Sequence, residues 1–252
     1  MDFPDDLEIE KTSVGIDWLT ITSNDYSRKP MIFRRFQLHQ EALKLMGESP
    51  KPWAFHGYAG LSIGSIRWGT RQDSDILILS GQDAQALWRV YAPLSTNCSR
   101  VDLAVTVKTT KCYPRLIHTY IDWIRENSDR TTKKAVNVER VDGIGQTLYI
   151  GSRNSDQFGR LYDKGAQMKS PLDIHRLWRY EVEFKRERSY KVLWQLLSPD
   201  VGDTFPQNIC STVYDWFNKR DVPPLFEKRG QSLALDLSAT VTSTSQQLAW
   251  LT

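Results

Sequence analysis

Phe158-Gly-Arg160-Leu-Tyr162-Asp-Lys164 reads as a β-strand, and strand alternation puts Arg160, Tyr162 and Lys164 on one face. A phenol with a cation two residues away on either side suits a tyrosine that must lose its proton and meet a phosphate. Tyrosine is also a common strand residue, and neighbouring Arg and Lys side chains can simply stack on it and stay solvated. The segment therefore has to be read with its neighbours.

Three other segments share its pattern. In Arg100-Val-Asp102-Leu-Ala-Val-Thr106, Val101, Leu103 and Val105 face one way and Arg100, Asp102 and Thr106 the other. In Trp178-Arg-Tyr-Glu181-Val-Glu183-Phe-Lys185, Trp178, Tyr180, Val182 and Phe184 form an apolar face opposite Arg179, Glu181, Glu183 and Lys185. In Leu148-Tyr149-Ile-Gly151-Ser-Arg153, Tyr149, Gly151 and Arg153 alternate with Leu148 and Ile150. If these polar stripes converge, one sheet surface carries carboxylates, cations and a tyrosine. Carboxylates bind a hard divalent cation through oxygen, the cation polarises a phosphodiester, and Arg and Lys orient the phosphate and favour phenolate. An antiparallel sheet with one solvated face also carries alternating charge, so the stripes alone leave both readings open.

Around these segments the chain alternates strand and helix patterns. Ser13–Thr22 is rich in β-formers, with Ile16, Trp18, Thr20 and Thr22 expected on one face and Asp17, Leu19 and Ile21 on the other. Ile32–Met46 has helical spacing and stops at Gly47. The stretches 53–68 and 75–79 read as strands broken by Gly57, Gly60 and Gly64. A helix over 83–91, a strand over 100–108 and an amphipathic helix over 113–127 follow. Strands are expected near 135–140, 146–152, 157–164 and 176–187, then helices over 190–197 and 204–219. The pattern predicts an α+β fold: a large, curved, mainly antiparallel sheet with flanking helices and a helical C-terminal part. Its expected divisions are a polar lead-in at 1–11, a catalytic domain at 12–200 and a helical extension at 201–252. The last residues begin a helix and stop, as in a shortened chain.

Composition narrows the function classes. Of 252 residues, 40% are hydrophobic, enough for a substantial core, and the net charge is only +3. Any nucleic-acid contact must then come from local clusters, with Lys133, Lys134, Arg186 and Arg188 the candidates. Nine tryptophans and ten tyrosines offer stacking surfaces for unpaired bases. Three widely spaced cysteines form neither a metal-type pair nor a disulfide framework, and the acidic N-terminus is unlike a signal peptide. No apolar run approaches the roughly 20 residues of a membrane helix, so a cytoplasmic location is expected. The four histidines lack any metal-ligand spacing, and Gly57-Tyr58-Ala-Gly60 suits a turn or bulge better than a nucleotide loop.

The ordered segments Gly15-Ile-Asp17-Trp-Leu-Thr-Ile, Ser99-Arg-Val-Asp102-Leu-Ala, Tyr149-Ile-Gly-Ser-Arg153-Asn-Ser, Arg160-Leu-Tyr162-Asp-Lys164 and Leu177-Trp-Arg-Tyr-Glu181-Val-Glu183-Phe-Lys185 resemble the Rep-trans family of rolling-circle replication initiators and the related relaxases of conjugative elements. The resemblance implies that Tyr162 attacks origin DNA, assisted by Arg160 and Lys164, and that Arg153 joins the DNA contacts. It implies Mg²⁺ or Mn²⁺ held by Asp102 with Glu181 or Glu183, and by Asp17 on the first strand. It further implies hairpin or single-stranded origin DNA, a second copy of the chain in a homodimer and a host helicase as partners. The rival expectations are a relaxase of the same chemistry, a metal nuclease that uses water, and a non-catalytic hairpin-binding module.

Overall fold

A computed structural model gives the structure of residues 7–127, 136–141 and 145–234, with 136–141 and Gly145 described by backbone alone. Ten strands form one sheet: β1 (Ile9–Ser23), β2 (Lys51–Phe55), β3 (Tyr58–Ile63), β4 (Ile66–Arg71), β5 (Ser74–Ser80), β6 (Asn97–Thr109), β7 (Val136–Val141), β8 (Gly145–Ile150), β9 (Gln157–Asp163) and β10 (Leu177–Lys185). Their order is β2-β3-β4-β5-β1-β6-β10-β9-β8-β7, and every pair is antiparallel. Hairpins build each wing, and the long strands β1 and β6 join them at the centre. The α+β expectation holds.

The helices are α1 (Lys29–Leu45), α2 (Gly81–Tyr91), α3 (Leu116–Asn127), α4 (Lys164–Gln167), α5 (Arg186–Leu197) and α6 (Phe205–Asn218). Pro30 starts α1, where its missing N–H costs nothing. Ile32, Phe36 and Gln40 are its buried side chains, one per turn. Apolar positions of α1, α2, α3, α5 and α6 share one hydrophobic cluster with Leu19, Leu79, Leu103, Leu161 and Val182 of the sheet. Each fully buried aliphatic side chain there contributes about 1.5–3 kcal/mol. Helix α6 belongs to this core: Trp216 packs against Gly159, where a Cβ would lie 2.1 Å from its ring. The Tyr180 hydroxyl, fully buried, is satisfied by Tyr120 at 2.7 Å. No helix of the described residues is long and apolar enough to cross a membrane.

Three local expectations need correction. The first concerns the faces of β1. Its register against β6 shifts between Ile16 and Trp18, so Asp17 is the extra residue of a bulge. A bulge resets the alternation. Ile16, Leu19 and Ile21 consequently all enter the core, while Trp18 and Thr20 pair with Asp102 and Arg100 on the other face. Secondly, Gly60 does not break a strand. It lies inside β3, directly opposite Gly69 of β4, and the turn is made by His56 and Gly57, both at positive φ (47° and 79°), as a two-residue hairpin requires. Lastly, β9 ends at Asp163, whose carboxylate accepts from the backbone N–H groups of Ala166 and His175 at 2.9 Å each. This cap starts α4, so Lys164 leaves the strand instead of extending its stripe. The expectations for residues 1–6, 128–135 and 235–252 lie outside the described residues.

Candidate active site

Register brings the polar stripes together. Asp102 of β6 faces Glu183 of β10. Glu181 and Arg179 of β10 face Arg160 and Tyr162 of β9. Tyr149 and Thr147 of β8 face Arg160 and Tyr162 from the other side. Residues paired this way point to the same face with Cβ atoms about 4.5–5.5 Å apart. That face is opposite the helical layer, because Val101, Leu103, Tyr180, Val182 and Leu161 occupy the alternate positions and are buried.

The charges interlock. Arg100 binds Asp102 with two donors, Nε to Oδ1 at 2.8 Å and Nη2 to Oδ2 at 2.6 Å, and reaches Glu183 Oε2 at 2.8 Å. Arg160 Nη2 lies 2.9 Å from Asp102 Oδ2 and 3.6 Å from Glu183 Oε2, and also donates to Glu181 Oε1. Lys185 holds the other Glu183 oxygen at 2.6 Å. Tyr162 donates its hydroxyl to Glu181 Oε2 at 3.1 Å. Arg179 donates to Asp17 and, at 2.9 Å, to Thr106 Oγ1. The bulge at Asp17 thus turns a carboxylate of β1 toward a guanidinium two strands away.

Burial governs the protonation of this cluster. Tyr162 is 7% exposed. Its pKa is pushed well above the usual phenol value, first by burial and then by the Glu181 charge, against a smaller opposite pull from Arg179 and Arg160. This differs from the expected ready phenolate: the cations are present, but Arg160 is committed to carboxylates and Lys164 Nζ stands 5.8 Å over the ring, bonded to Gln167 Oε1 at 2.6 Å. Burial also raises Asp102 well above the carboxylate range, opposed by its bond from Arg100. Lys164 is lowered, by burial and then by Arg179.

A cleft of about 1100 Å³ opens over the cluster, lined among others by Asp17, Trp18, Asp102, Tyr162, Lys164 and Glu181. Asp102 and Glu181 present oxygens to one nitrogen, Arg160 Nη2. Hard oxygen donors converging on one cationic point fit a hard divalent cation. Among the described residues no three acidic, His or Cys side chains form a group that could hold a metal ion, and Arg160 Nη2 occupies the point between Asp102 and Glu181. Asp17 stands with Arg179, and Glu183 with Arg100 and Lys185.

The other expected residues lie away from this centre. The Arg153 guanidinium stacks over Tyr149 at 4.7 Å. Arg186 is exposed and pairs with Asp156 at 2.7 Å. Arg188 is half-buried in the first turn of α5. Lys133 and Lys134 lie outside the described residues. Arg100, Arg179 and Trp18 belong to the site, although the sequence did not single them out. The stripes already put both arginines on the wet face; nothing local separated them from ordinary solvated charge.

Comparison with known proteins agrees with this architecture. The family model described as replication initiation factor, Rep_trans, matches residues 96–232. A replication initiation protein of Staphylococcus aureus is 39% identical over 64 residues, 24% of this chain and 20% of that protein. Another from the same organism is 38% identical over 64 residues, again 20% of its length. The matched segment thus spans about a fifth of these curated relatives. A rolling circle replication initiator protein from Geobacillus stearothermophilus shares the fold, with a TM-score of 0.60 over 90% of this chain and 100% of that chain at 18% identity. With more than half of its length matched by the family model, the chain belongs to the Rep_trans family of replication initiation factors.

Proposed function

We propose that this protein initiates rolling-circle replication by cutting one strand of origin DNA with Tyr162 and later rejoining the ends. The observation that carries this reading is the Tyr162 hydroxyl bonded to Glu181 at the floor of a cleft lined with cations. Glu181 accepts the phenolic proton and passes it to solvent before the attack. The phenolate oxygen attacks phosphorus, the bond from phosphorus to O3′ breaks, and the departing O3′ takes up a proton. The product is a 5′-phosphotyrosyl ester and a free 3′-OH, and the reverse attack by a 3′-OH restores the strand. One phosphoester replaces another, so no nucleotide hydrolysis is required.

Arg179 and Lys164 flank Tyr162 and would orient the phosphate and stabilise its developing charge. Mg²⁺ or Mn²⁺, held by Asp102 and Glu181 with Glu183 adjacent, would supply polarisation of the phosphate and neutralise charge on it. Arg160 keeps the carboxylates together before DNA binds. Hairpin or single-stranded origin DNA, a second copy of the chain and a host helicase are the partners of this reading.

The test is incubation with supercoiled plasmid carrying the DNA that flanks the gene, with Mg²⁺ or Mn²⁺. A nicked circle and a denaturant-stable adduct on Tyr162 are expected, with Tyr162→Phe binding DNA but forming neither. Nicking without an adduct would make the protein a water-using nuclease, and an adduct on Tyr149 would move the nucleophile to β8.

A further inference from the structure

The wing β2–β5 carries its own surface, on the same face as the catalytic cluster. Register traces it without a break. Trp18 pairs with Asp102 and with Ser80, and Thr20 pairs with Ile78. Ile78 pairs with Arg67, and Gly69 with Gly60. Gly60 in turn pairs with Trp53, and Tyr58 with Phe55. Alternation then assigns Lys51, Arg67 and Arg71 to this face as well. Across these four strands it presents three cations and no carboxylate, since Asp75 is on the opposite face, paired with Thr70 and Ser23.

Its apolar residues form a second, separate cluster: Tyr58, Ile76 and Ile78, with Trp18 and Trp53 packed against them. The facing glycines explain its flatness. A Cβ on Gly69 would lie 2.9 Å from the Trp53 ring, so the bare backbone lets that indole lie down on the sheet. Phe55 stacks beside it, with the two planes 17° apart and 5.9 Å between centroids, and stays 43% exposed. Arginines interleave with the rings: Arg71 over Tyr58 at 4.9 Å, Arg67 over Trp18 at 5.8 Å, and Arg100 over the same indole at 4.5 Å. Arg67 Nη1 is buried and has no hydrogen-bond partner among the described residues.

We propose that this face is a track for unpaired DNA, on which Trp53 and Phe55 stack bases while Arg67, Arg71 and Lys51 take the phosphates. The proposal rests on the reading of the cleft as a DNA-cleaving site and extends its substrate to the strand beside the scissile phosphate. Flat rings with interleaved cations are what sequence-tolerant single-strand binding uses, because every base has a π-face and every linkage a charge. From Tyr162 on β9 to Trp53 on β2 there are seven strand spacings, about 34 Å at the usual separation. A paired duplex keeps its bases stacked on one another and cannot use the rings.

The test is titration of wild type, Phe55→Ala, Trp53→Ala and Arg67→Gln with a labelled oligothymidylate about 18 nucleotides long, longer than the largest single-fold site size, and with a blunt duplex of equal length. Each variant should bind the single strand at least about fivefold more weakly, and the two ring variants should bind the duplex like wild type. Phe55 is exposed enough that its truncation leaves the fold intact, so it decides the matter if Trp53→Ala fails to fold. Unchanged single-strand affinity, or equal losses on both DNAs in the ring variants, overturns the track. Adduct formation by wild type on origin DNA is read in parallel. An adduct with unaffected variants removes the track alone. Selective loss of single-strand binding without any wild-type adduct supports the track and removes the cleavage reading.

Discussion

The Tyr162 hydroxyl and Glu181 Oε2 are 3.1 Å apart across the β9–β10 pair, and this contact joins the proposed nucleophile to the group that can take its proton. It also holds the proton in place. The same carboxylate that accepts the bond raises the phenol's pKa, adding to the larger effect of burial.

Nicking should therefore be faster in alkali. With its pKa above the ordinary value of about 10, Tyr162 is protonated throughout the neutral range. The single-turnover rate of adduct formation should rise by about tenfold per pH unit from roughly pH 7 to 9. A flat profile would mean that a step other than deprotonation limits the rate.

Glu181→Gln separates the two effects of that carboxylate. Losing the proton acceptor should slow adduct formation by about 10²–10⁴-fold. Losing its charge should lower the Tyr162 pKa, so the remaining activity should reach its plateau at lower pH than in wild type. The checking measurement is the pH profile. A slower variant with an unshifted profile would leave Glu181 without influence on the phenol.

Arg160→Met should be destabilising. Arg160 Nη2 contacts Asp102, Glu181 and Glu183, and all three carboxylates are buried. Leaving buried charge uncompensated costs about 3 kcal/mol or more, roughly 6–12 °C of melting temperature in a chain of this size. If Asp102 and Glu181 hold a divalent cation, Mn²⁺ should recover more of the melting temperature in this variant than it adds to wild type. Equal shifts in the two proteins would argue against a shared ion.

Gly159→Ala probes the docking of α6. Its added methyl would overlap the Trp216 ring, and overpacking of this kind costs about 1–3 kcal/mol. Urea unfolding should show the loss. Gly159 pairs with Val182 and Ile150 on the core side of the sheet, so Tyr162 adduct formation by the folded variant should stay close to wild type.

Arg186→Gln tests the expected basic patch. Arg186 is exposed and pairs with Asp156 at 2.7 Å. If it neutralises one phosphate, the salt dependence of DNA affinity should fall by about 0.9 in log–log slope. An unchanged slope would move the DNA path away from α5.

The sequence by itself determined the elements and much of their polarity. Strand alternation is a local property, so the stripes of Asp102, of Glu181 with Glu183 and of Tyr162 were legible, as was the burial of Tyr180 among Trp178, Val182 and Phe184. Only the tertiary structure decided which stripes meet. The order β1-β6-β10-β9 is a matter of long-range pairing, and no spacing along the chain encodes it. The bulge at Asp17 depends on the register of β1 against β6, so the faces of β1 were misread. Partners followed the same logic: Arg160 turns to Asp102 and Glu181, residues distant in sequence, and not to the adjacent tyrosine. The protonation of Tyr162 was also hidden, because desolvation measures how many atoms from the whole fold surround a group, while the flanking cations seen in the sequence measure only its nearest neighbours along the chain.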